Sequence, residues 1–218
     1  SKDNVDNTVT SVIKSTCIRE DNPEIIRAKE LNIPILLRGE LLKKVISGTE
    51  KSISITGTHG KTTTSALVAH ITEYCGMDPI VIVGGEMNNF NGNAKIGGGN
   101  LLIAEVDESD GYFRNIDSTY AIITNIEREH MEYYASMDEV LSSYFEFMDR
   151  VDKTGFLVVN GEDQAVLKIA EKIPIKKVAF GVNGSFDYTS KDAKHLKKIE
   201  FDIIVKGENK GKISSRLV

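Results

Sequence analysis

The stretch that most constrains this chain is Gly57-Thr58-His59-Gly60-Lys61-Thr62-Thr63-Thr64. It follows the apolar run Ile53-Ser54-Ile55 and opens a helix-like pattern. A strand, a glycine turn, a lysine and a hydroxyl at the mouth of a helix make a cradle for phosphate. Gly57 and Gly60 let backbone N–H groups approach phosphate oxygens, and the helix N-terminus adds partial positive charge. The pattern predicts that Lys61 reaches the outer phosphates of ATP and that the Thr62 hydroxyl ligates magnesium. Thr58, His59 and Thr63 complete the expected nucleotide-binding set. His59 either touches the nucleotide or packs. One departure is informative. Where the common motif G-x-x-x-x-G-K-[ST] has its first glycine, this chain has Ile55, so the loop is the shorter G-x-x-G-K-T. A glycine turn that merely caps a helix is the weaker reading, given the strand before it and the threonine run after it.

The pattern around the loop is α/β. Candidate strands are Ser52–Thr56, Ile80–Val83, Leu101–Val106, Tyr120–Thr124, Phe156–Asn160 and Lys177–Phe180, with helices at Thr62–Cys75, Met137–Val151 and Gln164–Ile173. Apolar strands alternating with helices predict a P-loop-type, mostly parallel sheet covered on both faces. From Phe186 the period switches to two, with strands expected at Phe201–Val205 and Gly211–Leu217, so a small antiparallel appendix follows the core. Met87–Gly99, rich in Asn and Gly, reads as a loop. Before the core, a strand at Val9–Ile13, a helix from Pro23 to Leu31, a strand at Ile35–Leu37 and a helix at Glu40–Ile46 form a thin first segment. The joint Ser47-Gly48-Thr49 divides the chain into segments 1–47 and 48–218.

Composition narrows the function classes. Net charge is -5 and the pI is near 5.5. That argues against nonspecific nucleic-acid binding, which needs basic patches. No apolar run approaches the length of a membrane span, and the N-terminus lacks the hydrophobic stretch of a signal peptide. The two cysteines, Cys17 and Cys75, are far apart and form no metal-binding pair. A reduced, cytoplasmic setting is expected, with Cys75 a buried thiol.

Two further positions carry chemistry. Glu105 ends the apolar strand Leu101–Val106, and Asp107, Glu108, Ser109 and Asp110 follow it. Ligands gather at the carboxyl ends of parallel strands, and a carboxylate there can hold magnesium. For Asp107, Glu108 and Asp110 taken singly, an acidic solvated loop competes with a functional role. His130 lies in Asn125-Ile126-Glu127-Arg128-Glu129-His130, which leaves another such strand end. Magnesium seldom chooses imidazole, so the residues alone leave His130 open between ligand and surface group.

Together these pieces resemble the Mur ligases, the ATP-dependent amide-forming enzymes of peptidoglycan synthesis. The carriers are Gly57–Thr64, Glu105-Val106-Asp107-Glu108-Ser109-Asp110 and Thr124-Asn125-Ile126-Glu127-Arg128-Glu129-His130-Met131. Ser109 and Thr124 resemble the branch that adds L-alanine to UDP-N-acetylmuramate, rather than the muropeptide-recycling branch. The resemblance implies that Lys61 binds phosphates, that Thr62 holds a first magnesium, and that Glu105 and His130 hold a second. Asp107, Glu108 and Ser109 are expected near substrate. It also implies that the first segment closes a UDP-binding N-terminal domain, and that the chain is a fragment centred on the ATP-binding domain, inactive alone. No carbamylated lysine is expected, since Met137–Met148 contains no lysine. A P-loop ATPase or switch module, and a folylpolyglutamate synthetase-like ligase, are the competing readings.

Overall fold

The computed structural model describes residues 1–182, 184–195 and 198–215. They form two compact units, Ser1–Thr49 and Glu50–Val218.

In the first unit, β1 (Val12–Lys14) pairs in parallel with β2 (Ile35–Leu37), and α1 (Pro23–Glu30) connects them. Asn22 caps α1 by accepting from the Glu24 N–H, and Pro23 takes the first turn, where its missing N–H costs nothing. The helix buries Ile25 and Ala28. α2 (Arg38–Ser47) follows, with the Glu40 carboxylate accepting from the Leu37 N–H at 2.7 Å. The strand expected at Val9–Ile13 starts later, at Val12.

The second unit is one ten-stranded sheet. Its elements are β3 (Lys51–Thr56), α3 (Lys61–Tyr74), β4 (Ile80–Met87), β5 (Gly92–Lys95), β6 (Leu101–Glu105), β7 (Ser118–Ile123), α4 (Met137–Asp149), β8 (Val151–Asn160), α5 (Gln164–Ala170), β9 (Lys176–Gly181), β10 (Tyr188–His195), β11 (Ile199–Val205) and β12 (Glu208–Ser215). Their spatial order is β12-β11-β10-β9-β8-β7-β3-β6-β4-β5. From β4 to β10, all but the edge pairings are parallel; β4–β5 and β10–β11–β12 are antiparallel. The fold class is therefore the α/β arrangement with an antiparallel appendix.

β3 lies between β6 and β7, and the chain leaves it first toward β4 and later returns to β7 on the other side. That reversal opens a crevice at the carboxyl end of β3, where open α/β sheets bind ligands. Period-two alternation along β3 sets its two faces. Ile55 packs with Ala69, Val81, Val83 and Ile103 under α3. Ser54 and Ser52 are buried as well, and each is satisfied by β7: Ser54 Oγ lies 2.6 Å from Ser118 Oγ, while Ser52 and Thr119 exchange two 3.0 Å bonds. A second cluster forms around α4, where the Phe113 ring meets Tyr144 and Phe147 at centroid distances of 4.9 and 5.6 Å.

Three expectations change. Met87–Gly99 is not all loop, because β4 runs on to Met87 and β5 pairs back onto it. Lys95 of β5 bonds Glu73 and Asp78, which stabilises this glycine-rich hairpin without an apolar period. The helix expected through Val151 stops at Asp149, since Val151 already pairs with Ser118. Cys75 is exposed, because it ends α3 on the solvent side of its last turn. The last strand is described to Ser215; the remainder of the stretch expected to Leu217 lies outside the described residues.

Candidate functional site

The loop after β3 is held open by its neighbour rather than by its own side chains. Gly57 has φ 134°, and a Cβ there would meet Thr124 Oγ1 at 2.0 Å, so only glycine fits. Thr124 donates to the His59 carbonyl at 2.7 Å. Asn125 accepts from the His59 N–H at 2.8 Å and donates back to the His59 carbonyl at 3.0 Å. Its own carbonyl accepts from the Thr58 N–H, and Thr58 Oγ1 accepts from the Glu127 N–H. The end of β7 thus clamps Thr58 and His59 on both sides. Gly60 then caps α3, so the helix N-terminus opens at Lys61. Among the described residues, Asn160 holds the Thr124 carbonyl and Asp163 the Ile126 N–H. The β7 end is therefore itself fixed from β8 and α5.

Lys61 reaches over the loop. Its ammonium donates to the Gly57 carbonyl at 2.7 Å, to the Thr58 carbonyl at 3.2 Å and to Glu108 Oε1 at 3.0 Å, with Glu108 Oε2 at 2.9 Å. Glu108 is only 3% exposed. Burial pushes its carboxyl above the usual carboxylate range, and Lys61 opposes that shift. The Tyr134 hydroxyl donates to the Glu108 carbonyl at 2.5 Å.

Thr62 and Glu105 meet beside it. Thr62 Oγ1 donates to Glu105 Oε1 at 2.9 Å, and Glu105 Oε2 accepts from the Gly84 N–H at 2.6 Å. A Cβ at residue 84 would meet Glu105 Oε1 at 2.7 Å, so a glycine inside β4, just past its pairing with β6, lets this carboxylate approach. A hydroxyl and a carboxylate are hard oxygen donors of the kind Mg2+ prefers.

His130 takes a left-handed backbone, φ 56°, a costly conformation for a non-glycine residue, and its carbonyl accepts from the N–H groups of Tyr133 and Tyr134. Its Nε2 is 3.7 Å from Glu108 Oε1 and its Nδ1 3.4 Å from Glu132 Oε1. Ligand atoms of Glu108, Glu129 and His130 lie within 4.8 Å of one another, a mixed oxygen and nitrogen set that fits a divalent cation. The structure thus joins Thr62 to Glu105, and His130 to Glu108 and Glu129. Glu105, expected beside His130, is not part of that second group. Glu108, expected near substrate, pairs with Lys61. Asp107 and Ser109 form a local turn, the Ser109 N–H donating to Asp107 Oδ1. His59 is exposed at the loop's rim, 3.8 Å from Glu127, and Thr63 faces the cleft between α3 and Asn88–Phe90. Sequence reasoning gave no role to Asn125 or Gly84; a polar residue just past the end of β7 and a glycine within β4 were the available signals.

A strand, a short glycine turn and a lysine over a helix N-terminus, at the switch point of a mostly parallel sheet, define a phosphate-loop protein. The family is narrower: residues 55–218 match the Mur ligase middle domain, and the chain belongs to the Mur ligase family. It is 37% identical over 93% of its length to UDP-N-acetylmuramate–L-alanine ligase of Aquifex aeolicus (strain VF5), covering 44% of that protein. It is 38% identical over 97% of its length to the enzyme of the same name from Dictyoglomus turgidum, covering 46% of it. The chain thus spans under half the length of these relatives. The crystal structure of UDP-N-acetylmuramate-alanine ligase MurC from Thermotoga maritima superposes with a TM-score of 0.87 at 29% identity, over all of this chain and 49% of that one. A point mutant of L. casei FPGS shares the fold, with a TM-score of 0.64 at 11% identity. Among the described residues, no helix is long and apolar enough to cross a membrane.

Proposed function

We propose that this chain is the nucleotide-binding core of a bacterial cytoplasmic ligase that joins L-alanine to UDP-N-acetylmuramate at the expense of ATP. The observation that supports this best is the convergence of Lys61, the Thr62–Glu105 pair and the His130–Glu108–Glu129 group on the carboxyl ends of β3, β6 and β7. The names of the relatives suggest the substrates. Residues 1–47, on this reading, close a UDP-binding domain, and residues 48–218 are the ATP-binding domain.

The reaction requires activation of a carboxylate, whose oxygen is a poor leaving group from carbon. The muramate lactyl carboxylate attacks the γ-phosphorus of ATP, releasing ADP and forming an acyl phosphate. The alanine amine then attacks the acyl carbon; phosphate leaves, the amine gives up a proton and an amide remains. The protein contributes position and charge. Backbone N–H groups of Gly60 and Lys61 at the α3 N-terminus face the phosphates, those of Thr58 and His59 being held by Asn125, and Lys61 neutralises the transferred group. Magnesium held by Thr62 and Glu105, and a second ion at His130, would supply further charge neutralisation at the reacting oxygens. Thr63 and His59 border the nucleotide, and Asp107 and Ser109 the muramate side.

Phosphate release by the full-length protein tests the reading. Release should require UDP-N-acetylmuramate and alanine together. Release that ignores both would identify a nucleotide hydrolase instead.

A further inference from the structure

Lys61 cannot serve a phosphate and its present partners equally. Its ammonium has three protons, and the Gly57 carbonyl, the Thr58 carbonyl and Glu108 accept all three. Glu108 is its only charged partner at hydrogen-bond distance among the described residues, and both carboxylate oxygens lie within 3.0 Å of it. An incoming polyphosphate must therefore compete with a buried carboxylate for the same cation.

The competition has a second side. Were Lys61 drawn away, Glu108 would be left as a buried carboxylate without its cation, which is costly. The geometry offers a replacement partner: His130 stands 3.7 Å away, and Glu129 and His130 place ligand atoms within 4.8 Å of a Glu108 oxygen. The main chain at Glu108 is in no position to retreat, because Tyr134 holds its carbonyl and the Tyr133 ring packs on Gly111 three residues on.

We propose that Glu108 is an exchange carboxylate, a positioning residue that holds Lys61 when no phosphate is bound and pairs with a divalent cation beside His130 and Glu129 when phosphate takes Lys61. This rests on the reading of Lys61 as the phosphate-binding group. The consequence is thermodynamic coupling: nucleotide and divalent cation each strengthen the other's binding through one buried side chain.

The test is equilibrium binding on the full-length protein, independent of turnover. In EDTA, Glu108→Gln should bind ATP about tenfold more tightly than wild type, because the competitor for Lys61 is gone. Glu127→Gln removes the same charge from the loop's exposed rim and should change the affinity less than twofold. A second arm uses Mn2+ alone, read by electron paramagnetic resonance. Lys61→Met should bind Mn2+ about tenfold more tightly than wild type, and this gain should vanish in the Glu108→Gln background. Equal or weaker metal-free ATP binding by Glu108→Gln, or a Lys61→Met gain that survives Glu108→Gln, overturns the exchange. If wild type binds no ATP under any condition, the phosphate-loop reading fails, and the Mn2+ arm still decides whether Glu108 exchanges partners.

Discussion

β6 and β12 lie in the same sheet and behave as opposites. β6 buries all its residues, Leu101 to Glu105, and ends on a carboxylate that the site uses. β12 exposes every residue from Glu208 to Ser214 and carries Lys210 and Lys212 along the sheet's edge. The first is a strand between β3 and β4 with α3 packed on it; the second is an edge whose charges discourage pairing with another chain. The difference shows why function sits where it does. Polar groups at the end of a buried strand are held by many partners and desolvated together, so small displacements matter. Polar groups on the antiparallel arm pair at the exposed surface, as Lys210 does with Glu208, where solvent screens them.

Substitutions can break or sharpen this contrast. The largest effect is expected at Lys61→Ala, where ATP affinity should fall about 1000-fold, or about 4 kcal/mol, and folding stability should fall as well, because Glu108 is left buried without its cation; wild-type-like binding would reject the assigned role. Next is a matched pair in the sheet. Leu102→Ala empties a fully buried site and should cost about 2–5 kcal/mol in urea unfolding, whereas Ile213→Ala on the exposed arm should stay within about 0.5 kcal/mol. Equal costs would erase the distinction between core and arm. Gly57→Ala should come third. Its left-handed φ and the contact with Thr124 predict a loss of about 1–3 kcal/mol, together with weaker ATP binding, because the Thr124 clamp must move.

The smallest effect belongs to the first unit. Lys14 and Lys29 both bond Glu20 and hold its carboxyl at about 2, below its ordinary 4.5. A depressed folded-state pKa means the contribution is present above 4.5 and lost as pH falls toward 2. Glu20→Gln should therefore be slightly less stable than wild type at neutral pH, and the gap should close on acidification. The size is small because the group is solvent-screened. A gap that widens in acid would contradict the pairing.

The strands Ile35–Leu37, Ser52–Thr56 and Leu101–Val106 were readable because apolar runs and turn residues mark buried parallel strands. Pro23 and Asn22 marked a helix start for equally local reasons. The hairpin of β4 and β5 was not readable. Asn and Gly dominate it, and Lys95 stabilises it through Glu73 and Asp78, which are distant in sequence. Cys75 was misplaced because a helical apolar pattern does not tell where the helix leaves the core. At the site, Lys61, Thr62, Glu105 and His130 stood out by residue type and position at strand ends. Their grouping did not, because spacing along the chain carries no distances between loops.

By itself, then, the order of residues determined an α/β sheet, a short phosphate loop and a family, since those rest on local periodicity, on glycines next to a lysine and on contiguous motifs. Only the tertiary structure decided which carboxylate Lys61 meets. Glu105 and Glu108 are three residues apart and chemically alike. One turns toward Thr62 and the Gly84 N–H, the other toward Lys61 and His130. That choice follows from where β6 stops and from the tyrosine that holds the following turn, and neither is visible in a linear pattern.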